Sequence, residues 1–225
     1  MLETKRGDLK TLAYVLRRTN YGEADRILNL ITLVGKVSAI AKGVRKEKSK
    51  LAGGVEMLTR SEINLHFGKS ELATVTGAKM QRFYAEILKD LKRMELATMM
   101  LKKIERAAET VETAEHFEIL DKSLFALNSG ENITMVESWF LMNLARAMGE
   151  QLNLYTDLDG EKLEENARYI WDENELAFRK TESGMVDANT IKIMRLMWTT
   201  ELEVVARIKK AEEYMPEILK IALSL

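Results

Sequence analysis

The feature that most constrains this chain is a change of period near Gly77. Before it, apolar residues alternate; after it, they recur every three or four positions. A period of two belongs to strands and one near 3.6 to helices, so the chain changes structural class there. In the first part, "LAYVLRRT" (residues 12–19) alternates and is rich in β-formers. "ADRILNLITLVG" carries Ile27, Leu28, Leu30, Ile31 and Leu33 ahead of a turn at Gly35. "KVSAIAKG" places Val37, Ala39 and Ala41 on one face. "RSEINLHFGKSELATVTGAKM" reads as a hairpin turning at residues 68–70. Five short strands within about 80 residues suit a small OB-like barrel.

After Gly77, "MQRFYAEILKDLKRMELATMMLKKIERAAE" sets Phe83, Ile87, Leu91 and Met94 on one face, extended by Leu88, Leu101 and Ile104. That spacing predicts one long amphipathic helix following directly on the strands. Further helices are expected over residues 114–127, 134–148, 187–198 and 202–213. A last one is opened by Pro216, whose missing N–H costs nothing in a first turn. Within this helical part, "ARYIWDENELAFRKTESG" has two short aromatic or β-branched runs around Asp172 to Asn174. It reads as an inserted β-hairpin with an acidic tip. The fold class is therefore α+β: an OB-like five-stranded barrel over residues 1–80, then a helical domain over 81–225 with a small hairpin.

The net charge of −1 hides a split. Residues 1–80 hold 15 Lys and Arg against 8 Asp and Glu, a net of +7; residues 81–225 carry −8. A basic module attracts polyanions and an acidic one avoids them. With 225 residues, 46% of them apolar, there is enough to bury a core. No cysteine is present, which excludes disulfides and cysteine-ligated metal, and a cytoplasmic location fits. "MLETKRGDLKTLAYVL" lacks the apolar run of a signal peptide, and no stretch is apolar for about 18 residues, so no membrane span is expected.

Catalytic constellations are hard to find. His66 and His116 lie 50 positions apart in different modules, with neither a triad nor a metal pair around them. There is no phosphate-binding glycine loop and no nucleophile elbow. Asp157, Asp159 and Gly160 lack the alternating acids of a calcium loop and read as a turn and helix N-cap. The 13 methionines, among them Met94, Met99, Met100, Met142, Met148, Met194 and Met197, read first as core and second as an adaptable groove. The chain reads as a non-enzyme with no cofactor.

The concentrated chemistry is cationic. "AIAKGVRKEKSKLAGG" gathers Lys42, Arg45, Lys46, Lys48 and Lys50 against the single acid Glu47. Such a run is either a solvated loop or a contact for phosphates; the surplus of the whole module favours a polyanion. Arg17 and Arg18 end the first strand on opposite faces. Tyr21 and Phe67 are able to stack on bases, though packing in the barrel core is the simpler reading. Asp25 beside Arg26 suggests a buried ion pair fixing a turn.

These residues carry a resemblance. Val15-Leu16-Arg17, Tyr21-Gly22-Glu23, Asp25-Arg26-Ile27-Leu28, Gly35-Lys36, Ala41-Lys42-Gly43-Val44-Arg45 and Lys48-Ser49-Lys50-Leu51 follow one another over about 45 residues. The stretch resembles the amino-terminal pattern of the RecO family of recombination mediators. The resemblance implies a role in DNA repair, homologous recombination and the DNA damage response through the RecFOR pathway. Such a protein binds single- and double-stranded DNA and anneals complementary strands. It pairs with RecR and contacts the tail of single-strand-binding protein (SSB) to help load RecA. The implied DNA-contacting residues are Arg17, Arg18, Lys36, Lys42, Arg45, Lys46, Lys48 and Lys50, with Gly22, Asp25, Arg26 and Gly43 in structural roles. Many family members carry a four-cysteine zinc site in the helical domain. The corresponding region here, around residues 153–185, has no cysteine, so packing within residues 169–171 and 176–178 is expected to replace it. The zinc-free domain and its acidity leave open an alternative: an adaptor bridging SSB and RecR without binding DNA.

Overall fold

A computed structural model describes residues 7–111 and 113–225. The opening six residues of the stretch read above for a signal peptide lie outside them. Two compact units result, one ending at Phe125 and the other spanning Ala126–Leu225.

The first unit is built on five strands: β1 (Gly7–Tyr21), β2 (Asp25–Thr32), β3 (Gly35–Ala41), β4 (Thr59–Phe67) and β5 (Ala73–Phe83). They close into a barrel in the order β1-β2-β3-β5-β4. Every pairing is antiparallel except β3 with β5. This is the OB-like barrel expected. Its core takes one face of each strand: Ala13, Val15, Leu28, Leu30, Ala39, Ala41, Ile63, Leu65 and Val75 are all buried there. β3 and β5 meet over a short stretch, Ala39 with Ala73 and Ile40 with Thr74, and that contact closes the barrel.

β1 is buried on both faces from Ala13 to Leu16. Ala13 and Val15 point into the barrel, so alternation turns Tyr14 outward, where helices cover it. Those helices are α1 (Leu91–Thr110) and α2 (Glu115–Asn128). The Tyr14 ring lies 5.4 Å from that of Phe117. Its hydroxyl donates to Asp121 on α2 at 2.5 Å and lies 2.7 Å from the Tyr84 hydroxyl. Arg60 of β4 donates to both Asp121 oxygens at 3.2 Å. Burial pushes the Tyr14 and Tyr84 hydroxyls up, so both stay protonated as donors.

The long helix begins later than its spacing predicts. β5 runs on to Phe83, paired with Thr59 of β4, and a 3-10 turn over Ile87–Lys89 follows. Asp90 then caps α1 by accepting from the Arg93 N–H. Residues 83–90 carry helix-like spacing but belong to strand and turn, because β5 must reach its full length to pair with β4.

The second unit is centred on α3 (Ile133–Ala147), buried on nearly every side. Asn143 donates to the carbonyls of Trp139 and Met197, and Trp139 Nε1 donates to Thr200, tying α3 to α4 (Ala188–Thr199). α5 (Leu202–Ala206) and α6 (Met215–Leu223) complete the helices. The helix expected over residues 202–213 breaks after Ala206: Lys210 takes a left-handed φ of 64° and a 3-10 turn over Ala211–Tyr214 follows. The expected hairpin is present as β6 (Tyr169–Asp172) and β7 (Ala177–Lys180). Phe178, fully buried, packs edge-on against Tyr169 at 6.2 Å and Trp171 at 5.1 Å. Asp157 closes a turn by accepting from the N–H groups of Asp159 and Glu161, but no helix follows it, contrary to the N-cap reading. No helix among the described residues is long and apolar enough to cross a membrane.

Candidate nucleic-acid interface

The cationic run forms the loop leaving β3, and the structure explains its repeated glycines. Gly22 in the β1–β2 turn and Gly43 in the loop both sit at positive φ, 54° and 63°. A side chain at either would be strained. The two turns are stapled together. The Asp25 carboxylate accepts from the Gly43 N–H at 2.7 Å, and the Arg45 N–H donates to the Ala24 carbonyl at 2.9 Å. The Arg45 guanidinium reaches the Gly22 carbonyl at 3.3 Å. Val44 is buried in the barrel core and Leu51 packs against it. The motifs around Tyr21–Arg26 and Ala41–Arg45 are thus one structural unit, although some 15 residues separate them.

Asp25 and Arg26 do not pair with each other, as adjacency suggested. Successive strand residues face opposite ways, so Asp25 turns to Gly43 while Arg26 meets Glu56 at 3.3 Å.

The eight cations divide into two groups. Lys42, Arg45, Lys46, Lys48 and Lys50 are all exposed, and none is in an ion pair among the described residues. The other three are neutralised. Arg17 pairs with Glu105 of α1 at 3.1 Å, Arg18 pairs with Glu56, and Lys36 pairs with Glu109 at 2.8 Å. The Lys36 side chain is only 17% exposed, and its hydrogen bond holds the Glu109 carboxyl below the usual range. Tyr21, read as core, is instead 55% exposed at the same end of the barrel as the loop, whereas Phe67 packs against the core.

Sequence reasoning missed a second basic patch. Lys102, Lys103 and Arg106 of α1 rim an open groove of about 460 Å³ floored by Met94 and Met99, with Glu95 as its one acid. The signal was there: these cations recur at i, i+1 and i+4 along a helix whose methionines fall on the same side. Among the described residues no cluster of three or more His, Asp or Glu is arranged to hold a metal.

The family model described as "Recombination protein O N terminal" matches residues 7–84, and that described as "Recombination protein O C terminal" matches residues 88–224. The chain belongs to the RecO family. A DNA repair protein RecO of Dehalococcoides mccartyi (strain CBDB1) is 32% identical over 96% of this chain and 88% of its own length. One from Heliobacterium modesticaldum is 43% identical, over 48% of this chain and 40% of its own. One from Moorella thermoacetica reaches 44% over 37% of this chain and 31% of its own. Membership gives the chain a role in DNA repair and recombination.

Proposed function

We propose that this RecO protein is a non-enzymatic recombination mediator of the bacterial cytoplasm. It binds single- and double-stranded DNA, anneals complementary strands and, with RecR, helps load RecA onto SSB-coated strands. The observation that carries this reading is the loop of five exposed, unpaired cations stapled rigidly to the barrel. Phosphates are gripped by cations that no carboxylate neutralises, and a fixed backbone holds those cations in register. Tyr21 at the same end offers a ring for base stacking. Lys36, Arg17 and Arg18 are held by carboxylates and contribute less. The groove on α1, apolar below and basic at its rim, has the chemistry of a site for the acidic, apolar-ended SSB tail.

The test is a salt series with a fluorescent single-stranded oligonucleotide. The wild-type protein is expected to bind with a steep slope. Removing Lys42, Arg45 and Lys46 together should flatten the log–log slope by about 2, since each single-strand phosphate contact contributes about 0.7. Lys36→Ala should leave the slope unchanged. Equal loss from Lys36→Ala and from the triple variant would sink the assignment to the loop. No binding even at low salt would favour the adaptor reading instead.

A further inference from the structure

The hairpin of β6 and β7 has an open edge. On its inner side β6 pairs with β7. On its outer side, among the described residues, only Tyr169 is paired, exchanging two hydrogen bonds with Val186 at 2.9 and 3.0 Å. Main-chain groups of alternate strand residues point the same way, so the N–H and C=O of Trp171 face that same outer side. Neither has a partner among the described residues. The Trp171 indole Nε1 is also buried without an acceptor. Buried donors in folded proteins are nearly always satisfied, so the unmet indole is unusual, and it sits on the residue whose main chain leaves the strand edge open.

Trp171 also lines a cleft of about 250 Å³ that residues of β6 and α6 share with Met185. Its walls include Ile170, Trp171, Met185 and Ile221, of which Ile170 is 43% exposed and Met185 70%. Its rim is acidic. Glu173 has no ion pair among the described residues, and Lys220 is neutralised by Glu217 at 2.8 Å. The surrounding unit, residues 126–225, carries 11 Lys and Arg against 18 Asp and Glu, a net of −7.

We propose that the open edge of β6 and its cleft receive an extended segment of a partner protein, in which an apolar side chain is flanked by lysine or arginine. The segment adds a strand beside Trp171. Its main chain accepts from the Trp171 N–H and donates to the Trp171 carbonyl, as in other cases of strand addition. Its apolar side chain fills the cleft between Ile170 and Ile221, and its cations meet Glu173 and the hairpin tip. This surface belongs to the second unit and the cationic loop to the first, so the proposal does not depend on DNA binding.

The full-length, nitrogen-15-labelled protein would be titrated with a five-residue peptide of alternating lysine and leucine, capped at both ends. Two resonances report directly: the Trp171 indole N–H and its main-chain amide, with the indoles of Trp139 and Trp198 as internal controls. The Trp171 amide should move downfield, saturate and become protected from exchange, and the indole signal should shift in step with it. A peptide of glutamate and leucine should leave them in place. N-methylation of the central leucine amide and, separately, Glu173→Lys should each weaken binding about tenfold. Still Trp171 signals at millimolar peptide would overturn the proposal. So would an equal response to the glutamate peptide, or full binding by the N-methylated one.

Discussion

Asp121 ties several elements of the first unit together, because one carboxylate joins Tyr14 of β1, Arg60 of β4 and, at 3.4 Å, the Tyr84 hydroxyl. Tyr14→Phe removes one donor and leaves Arg60 in place; it should lower stability by about 1 kcal/mol. Asp121→Ala leaves the Arg60 guanidinium and two hydroxyls without their acceptor. It should cost about 2–4 kcal/mol, below the full value for a buried pair because both partners are about a quarter exposed. Urea denaturation separates the two outcomes. His116 acts differently. It is fully buried at the start of α2, neither ring nitrogen has a partner among the described residues, and burial holds its pKa below the usual value. The unfolded chain therefore binds its proton first as pH falls. Stability from the neutral imidazole is present above about pH 6.5 and is lost as pH drops through and below that value. The urea midpoint should decline over this range, and His116→Leu should make the decline shallower. An identical acid limb in both proteins would show that another group titrates there. Neither role was legible in the sequence. His116 looked like an isolated histidine, and Asp121 sits 107 positions from its closest partner, a pairing that no local pattern encodes.

At the scale of elements, most of the architecture was legible because period and turn chemistry agree. Glycine turns punctuated the barrel strands, and the four-residue gap between the aromatic runs marked the second hairpin. The failures lie where local spacing and tertiary pairing conflict. Residues 83–90 have helical spacing yet finish β5 and turn, and Asp90, a good N-cap residue, was the overlooked marker of the true helix start. The helix over residues 202–213 failed without a proline or glycine to announce it. The cationic loop illustrates the converse, since its anchoring can be tested at a single glycine. Gly54 lies in the short 3-10 turn that ends the loop (Ala52–Val55), and a Cβ there would come within 2.8 Å of Ala78 backbone atoms on β5. Backbone cannot yield as a flexible side chain can. Gly54→Ala should therefore destabilise the barrel by about 1–3 kcal/mol, the usual cost of overpacking. It should also weaken oligonucleotide binding without removing any charge. Normal stability and affinity would mean that the loop end tolerates displacement.

For the whole molecule, charge and packing divide the chain at different places. The period change lies near residue 77, and the two family models meet between residues 84 and 88. The compact units, however, part at Phe125 and Ala126. The difference follows from β1: a strand buried on both faces needs α1 and α2 to cover Tyr14. Alternation puts Tyr14 on the face opposite Ala13 and Val15 but does not say what covers it, so the sequence could not show which side of the seam these helices join. This has a mechanical consequence. Stretched between its ends in an optical trap, the chain should yield at the packing boundary rather than at the change of period. Release of residues 126–225 would then appear as one step lengthening the tether by roughly 330–360 Å of extended chain. A step of nearly half as much again, matching release of everything after residue 84, would mean that α1 and α2 let go of the barrel under load. The interlocked hydroxyls of Tyr14 and Tyr84 would then be a seal against water and not a tie that bears force.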